Sequence, residues 1–193
     1  CMKEAFDLWM FMNRFRNCDL KKYFDEEIHQ AIMSLNKKKH IHKIYKKKNY
    51  NLAYIITNIV DTGSASVPHR FMLKNSLAKK FNIKQHVLVT NLRNRNDEKE
   101  TEGYNYLVNE IKPNNFNHLE SNLTWLNKGN LIESWIKKNK IDFVLASPCP
   151  ATIYAMAGNP APIQGILSQD CYCFTLGPGA FDLTFYVTND QVF

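Results

Sequence analysis

Hydrophobic positions recur along the chain with two different periods, and the change of period divides it. Over residues 1–35 the apolar side chains Phe6, Trp9 and Met10, then Leu20, Phe24, Ile28, Ala31, Ile32 and Leu35, fall three or four apart. That spacing predicts two helices, broken near Asn17 and Asp19, with Asp19 in place to cap the second. From Asn51 onward short apolar runs alternate with amphipathic stretches. Residues 52–60 (LAYIITNIV) are β-branched and almost wholly apolar, as a strand buried on both faces must be. A small-residue loop over 61–66 follows, then a helix over 68–81 with Pro68 in its first turn. Residues 86–91 predict a second strand, 101–111 a second helix, 115–119 a short extended piece, 131–138 another helix and 141–147 a further buried strand. Beyond them 151–157 reads as a short helix ended by Gly158-Asn159-Pro160. Residues 163–167 and 181–188 read as strands on either side of Gly177-Pro178-Gly179.

Repeated strand–helix units predict an α/β fold: a doubly wound, mostly parallel Rossmann-like sheet preceded by a short helical segment. The division this gives is residues 1–49 as helical segment and basic linker, and 50–193 as the α/β domain. No internal repeat is visible.

Composition places the chain among globular proteins. Of 193 residues, 45% are hydrophobic and 22% charged, enough apolar material for one core, and no apolar run is long enough to span a membrane. The formal net charge of +7 is local: residues 36–48 hold seven lysines and no acid. The plainest reading of that tract is a solvated linker, so the high isoelectric point is not by itself a reason to expect a nucleic-acid partner. Five cysteines, Cys1, Cys18, Cys149, Cys171 and Cys173, form no CxxC pair, and they predict buried thiols in a reducing, cytoplasmic setting with no metal site. The chain begins with Cys1 and lacks a signal-peptide pattern, so it reads as part of a longer protein.

In a sheet of this kind the chemistry lies at the carboxyl ends of the strands. Asp61-Thr62-Gly63-Ser64-Ala65-Ser66 is placed there by its position after the first strand, and its N–H groups and hydroxyls suit a phosphate or a sugar. Neither GxGxxG nor GxxxxGK[ST] occurs, which removes most of the case for a nicotinamide dehydrogenase or a P-loop NTPase. His69, at the start of the next helix, is placed to act as a base or to orient a hydroxyl, or equally to cap a helix at the surface. His86 and His118 have no partner pattern and read as structural.

The run Asn159-Pro160-Ala161-Pro162-Ile163-Gln164, then Gly177-Pro178-Gly179 and the strand over 181–190, resembles glycosyltransferases related to O-linked N-acetylglucosamine transferase and their bacterial tetratricopeptide-repeat relatives. The likeness covers about 140 residues in the same order. It departs from the family at Ser168-Gln169-Asp170, where a Gly-His-Pro or Gly-Tyr-Pro is usual, and in the first loop, where an Asn-His-Pro is missing. The resemblance implies the acceptor-side half of a two-domain (GT-B) enzyme moving a sugar from a nucleoside diphosphate, UDP-linked in character, to a protein or glycan acceptor. It implies no separate cofactor, and it implies a donor site completed by a carboxyl-terminal domain outside this chain. Carried over residue by residue, it makes His69 the catalytic candidate and Gly63, Ser64, Pro162, Gln164 and Gly177 substrate-binding candidates. Set against it is a non-catalytic α/β domain that binds a nucleotide or a partner protein.

Overall fold

A computed structural model describes residues 30, 39–43, 45–59, 80–91, 101–111, 114–147, 149–168 and 180–186. The elements are β1 (Tyr50–Ile56), β2 (Ile83–Val89), α1 (Glu102–Tyr106) continuing into a π-helical turn (Leu107–Ile111), β3 (Asn115–His118), α2 (Trp125–Lys138), β4 (Phe143–Ala146), α3 (Pro150–Met156), β5 (Ile163–Ser168) and β6 (Leu183–Tyr186). The strands form one sheet in the order β3-β2-β1-β4-β5-β6, with every neighbouring pair parallel. This is the order of a doubly wound Rossmann-like sheet, and the expected fold class is the observed one. The helical segment expected before residue 36 falls outside the described residues apart from Gln30, as does most of the helix expected over 68–81.

Period-two alternation splits the core into two layers. Along β1, Ala53 and Ile55 face a cluster with Leu88, Val144, Ile132, Trp135, Ile136, Ile153 and Met156, which is the layer of α2 and α3. Leu52, Tyr54 and Ile56 face the other way, onto Val87, Val89, Leu107 and Leu145. The α1 connection thus covers one face while the chain steps outward from β2 to β3. The α3 connection covers the other face while it steps the opposite way, from β4 to β5, so both crossovers have one hand. Each fully buried Ile or Leu in these layers contributes about 1.5–3 kcal/mol by leaving water.

The ends of the elements differ from the expected ones for identifiable reasons. Helix α2 starts at Trp125, six residues before the expected start, because Thr124 caps it: Thr124 Oγ1 accepts from the Asn127 N–H at 3.2 Å. The stretch Asn127-Lys128-Gly129-Asn130 looks unlike a helix, yet Gly129 is needed where α2 meets α3. A Cβ there would stand 2.6 Å from Tyr154 Cδ1 and 3.0 Å from the Ala151 carbonyl oxygen. Strand β2 begins three residues early, at Ile83, since its first half pairs with β1 although only its second half is apolar.

The basic tract, expected as a free linker, is pinned to the domain where it is described. The His40 N–H donates to Gly158 O at 3.1 Å, Asn159 Nδ2 donates to His40 O at 2.8 Å, and His42 Nε2 lies 2.7 Å from Asn159 O. Lys47 Nζ forms an ion pair with Asp142, whose second carboxylate oxygen accepts from the Asn51 N–H at 2.9 Å. Asn159 reaches this contact through a left-handed turn, φ 51°, that asparagine tolerates better than most residues.

Candidate functional site

The strand order reverses between β1 and β4, and a crevice between connections that leave in opposite directions belongs at their carboxyl ends. Three strands run out there together. The Thr90 N–H donates to Ile56 O and the Ser147 N–H to Ile55 O, both at 2.8 Å, so the ladder holds β2 and β4 against β1 to its last residues. Just beyond, Asn58, Thr90, Asn91 and Ser147 are all buried, as are Thr152 on α3 and Lys128 on α2.

These side chains form a buried polar cluster in which hydrogen bonds join Asn58 with Asn91 and Lys128, and Thr90 with Cys149 and Thr152. Thr90 Oγ1 donates to Thr57 O at 3.3 Å, and Asn58 Nδ2 reaches Asn91 Oδ1 at 3.4 Å. Asn91 takes a left-handed conformation, φ 50°, and its carbonyl accepts from Lys128 Nζ at 2.7 Å. Lys128 sits just inside the amino end of α2, where a cation opposes the helix dipole and no acid occupies the first turn. Its place is therefore explained by the strand ends it reaches and not by helix stability. Cys149, the residue before α3, buries its thiol 2.9 Å from Thr152 Oγ1 and 3.8 Å from Thr90 Oγ1. The cluster offers amide, hydroxyl and ammonium groups with no carboxylate among its named members, a set that suits hydroxyl-rich or anionic ligands.

The sequence candidates are distributed differently. Gly63, Ser64, His69 and Gly177 lie outside the described residues, as do Cys171 and Cys173. Pro162 and Gln164 stand at the amino end of β5, the end of the sheet opposite the crevice. Gln164 is buried there, with Nε2 donating to Met156 O at 3.1 Å and to Ala180 O at 2.7 Å. Its main chain is tied as well, since its N–H donates to Asp182 Oδ2 and its carbonyl accepts from the Asp182 N–H, both at 2.7 Å. Gln164 thus joins α3, the turn before β6 and β5. The buried polar residues Asn58, Thr90, Asn91, Lys128 and Ser147 are ones that sequence reasoning did not single out. A usable signal was that a polar pair interrupts the first apolar run, at Thr57-Asn58, and that polar residues end two others, at Thr90-Asn91 and Ser147.

His86 is structural in the sense expected. Asn51 Nδ2 donates to Lys140 O at 3.1 Å, which turns Asn51 Oδ1 toward His86 Nε2 at 3.3 Å and assigns the ring proton to Nε2. The ring meets Trp135 edge-on at 6.2 Å, and both His86 Nδ1 and Trp135 Nε1 are buried without a hydrogen-bond partner among the described residues. Burial holds the His86 pKa below the usual 6.5, and the charge of Lys84 adds to the effect.

The fold is that of a Rossmann-like α/β domain with buried polar side chains at its switch point. No protein-family model and no curated protein matches the chain. Among the described residues no helix is long and apolar enough to cross a membrane.

Proposed function

We propose that the chain is the acceptor-side domain of a nucleotide-sugar glycosyltransferase, with the acceptor held in the crevice between β1 and β4. The observation that carries the reading is the cluster of buried Asn58, Thr90, Asn91 and Lys128 at the carboxyl edge, whose groups are of the chemical kind that orients hydroxyls. The resemblance over residues 159–190 supports it, and so does the parallel strand order, whose reversal between β1 and β4 is where such sheets bind ligands. The task of such a domain is positioning: it aligns an acceptor hydroxyl or amide with the anomeric carbon of a donor. The departing diphosphate must meet cations and N–H donors, which the reading assigns to a second domain.

The test is a titration of the ¹⁵N-labelled chain, followed by NMR, with N-acetylglucosamine oligomers, a serine/threonine-rich peptide and uridine diphosphate. Saturable shifts of the Asn58, Thr90, Asn91 and Ser147 amides with a sugar or peptide support the acceptor reading. Shifts at those amides with the nucleotide alone would transfer the site to the second reading, a nucleotide-binding domain. Shifts with none of the three would remove the site.

A further inference from the structure

The topology gathers lysines from distant parts of the sequence along one edge of the sheet. Strands β1, β2 and β4 are in register at their amino ends, where Asn51 lies opposite Lys84 and Leu52 opposite Phe143. Lys84 is exposed on that edge, and the carboxyl end of α2 delivers exposed Lys138 and Lys140 to it. The pinned tract runs along the same edge from its anchor at Gly158 and Asn159 to its anchor at Asp142, with Lys39, Lys43, Lys46 and Lys48 all exposed. Among the described residues, Glu133 pairs with Lys137 at 2.6 Å, Asp142 with Lys47, and Asp182 accepts from the Gln164 main chain.

The same edge also carries large apolar side chains in water. Ile41 is 96% exposed and Tyr45 62%, alternating with the lysines between the two anchors, and Phe81, in the turn leading into β2, is 56% exposed. A solvated basic linker has no reason to hold an isoleucine out on a fixed strap. A polyanion such as RNA has use for the lysines and for Tyr45, but buries an isolated aliphatic side chain less fully than acyl chains do. Anionic lipid offers both, since headgroups attract the lysines while the acyl boundary accepts the isoleucine and the aromatic rings.

We propose that this amino edge is a peripheral docking surface for an anionic bilayer, with Ile41, Tyr45 and Phe81 entering the interface and the lysines around them held by lipid phosphates. Docking there leaves the carboxyl-edge crevice facing away from the surface. The inference does not depend on what the crevice binds.

The experiment is sedimentation of the whole chain with vesicles of phosphatidylcholine, alone or with about 30 mol% phosphatidylserine, at about 0.1 M salt. Binding is expected only with the anionic lipid and is expected to weaken as salt rises. Replacing Lys43, Lys46 and Lys48 by Gln should reduce it about fivefold per lysine, on the order of 100-fold in all. Ile41→Ser should weaken vesicle binding without changing binding to heparin or single-stranded RNA. In Ile41→Trp, which stays at an exposed position, the new indole's emission should shift to the blue on phosphatidylserine vesicles. No binding to the anionic vesicles, or vesicle binding that Ile41→Ser leaves intact, or an Ile41→Trp emission that does not move, would each overturn the proposal. Tighter binding to RNA than to vesicles would overturn it too and reassign the edge to a polyanion.

Discussion

Both amide hydrogens of Gln164 end on main-chain carbonyls, those of Met156 and Ala180, while its Oε1 is buried without a partner among the described residues. The side chain is therefore oriented by two acceptors, and its own acceptor is left bare. Removing it strands two carbonyls, and Gln164→Ala should lower stability by about 2 kcal/mol in denaturant unfolding. Gln164→Met, which keeps the volume but not the donors, separates the hydrogen bonds from the cavity; a Met variant as stable as the parent would show that the bonds contribute nothing. His86 makes a pH prediction of definite sign. Its folded pKa lies below 6.5, so the unfolded chain takes up the proton first. The neutral ring's contribution is complete above pH 6.5 and is lost as pH falls below that value toward the lower folded pKa. Unfolding midpoints measured from about pH 8 to about pH 5 should fall more steeply for the parent than for His86→Phe. Equal slopes would mean that the buried ring is protonated without penalty.

Helices α2 and α3 meet at Gly129, and this contact sets how closely they approach each other. Gly→Ala inside a helix ordinarily gains up to about 1 kcal/mol. Here the new methyl would meet Tyr154, whose ring is stacked edge-on against Trp125 at 5.8 Å, and the fixed carbonyl of Ala151. Overpacking of that kind costs about 1–3 kcal/mol, so Gly129→Ala should be destabilising by about 1 kcal/mol net, read from its shift in unfolding midpoint. A stabilised variant would show that α3 can move aside. Among the elements, type was more legible in the residue pattern than extent. The buried runs announce strands because both faces are covered, but the start of α2 rests on one threonine hydroxyl, and the start of β2 on pairing rather than on apolar character.

Taken as a whole, the molecule gathers buried polar side chains at the carboxyl edge of a single sheet, and the glycosyltransferase reading requires a second domain to complete a cleft there. A donor left in half a cleft is solvated and unoriented, so the chain alone should release no nucleoside diphosphate from UDP-sugars in a coupled assay. Sustained release would mean that one domain suffices.

The α/β class, the two-sided burial of the strands and the polar residues that end them follow from the chain alone, because period and composition are local properties that survive whatever the neighbours are. Which of those residues share a site is a matter of three-dimensional packing. Asn58, Asn91 and Lys128 are far apart in the chain and meet only because β1 and β2 pair in parallel and α2 returns across the sheet. Packing also fixes the place of Gln164: the Pro-Ala-Pro-Ile-Gln run draws attention in sequence, but the direction of β5 carries its glutamine to the edge away from the crevice. The lysine tract changed most. Read alone it is a charge run, but pinned at Asn159 and Asp142 beside Lys84, Lys138 and Lys140 it becomes one face of the molecule, since only the parallel register brings those amino ends together.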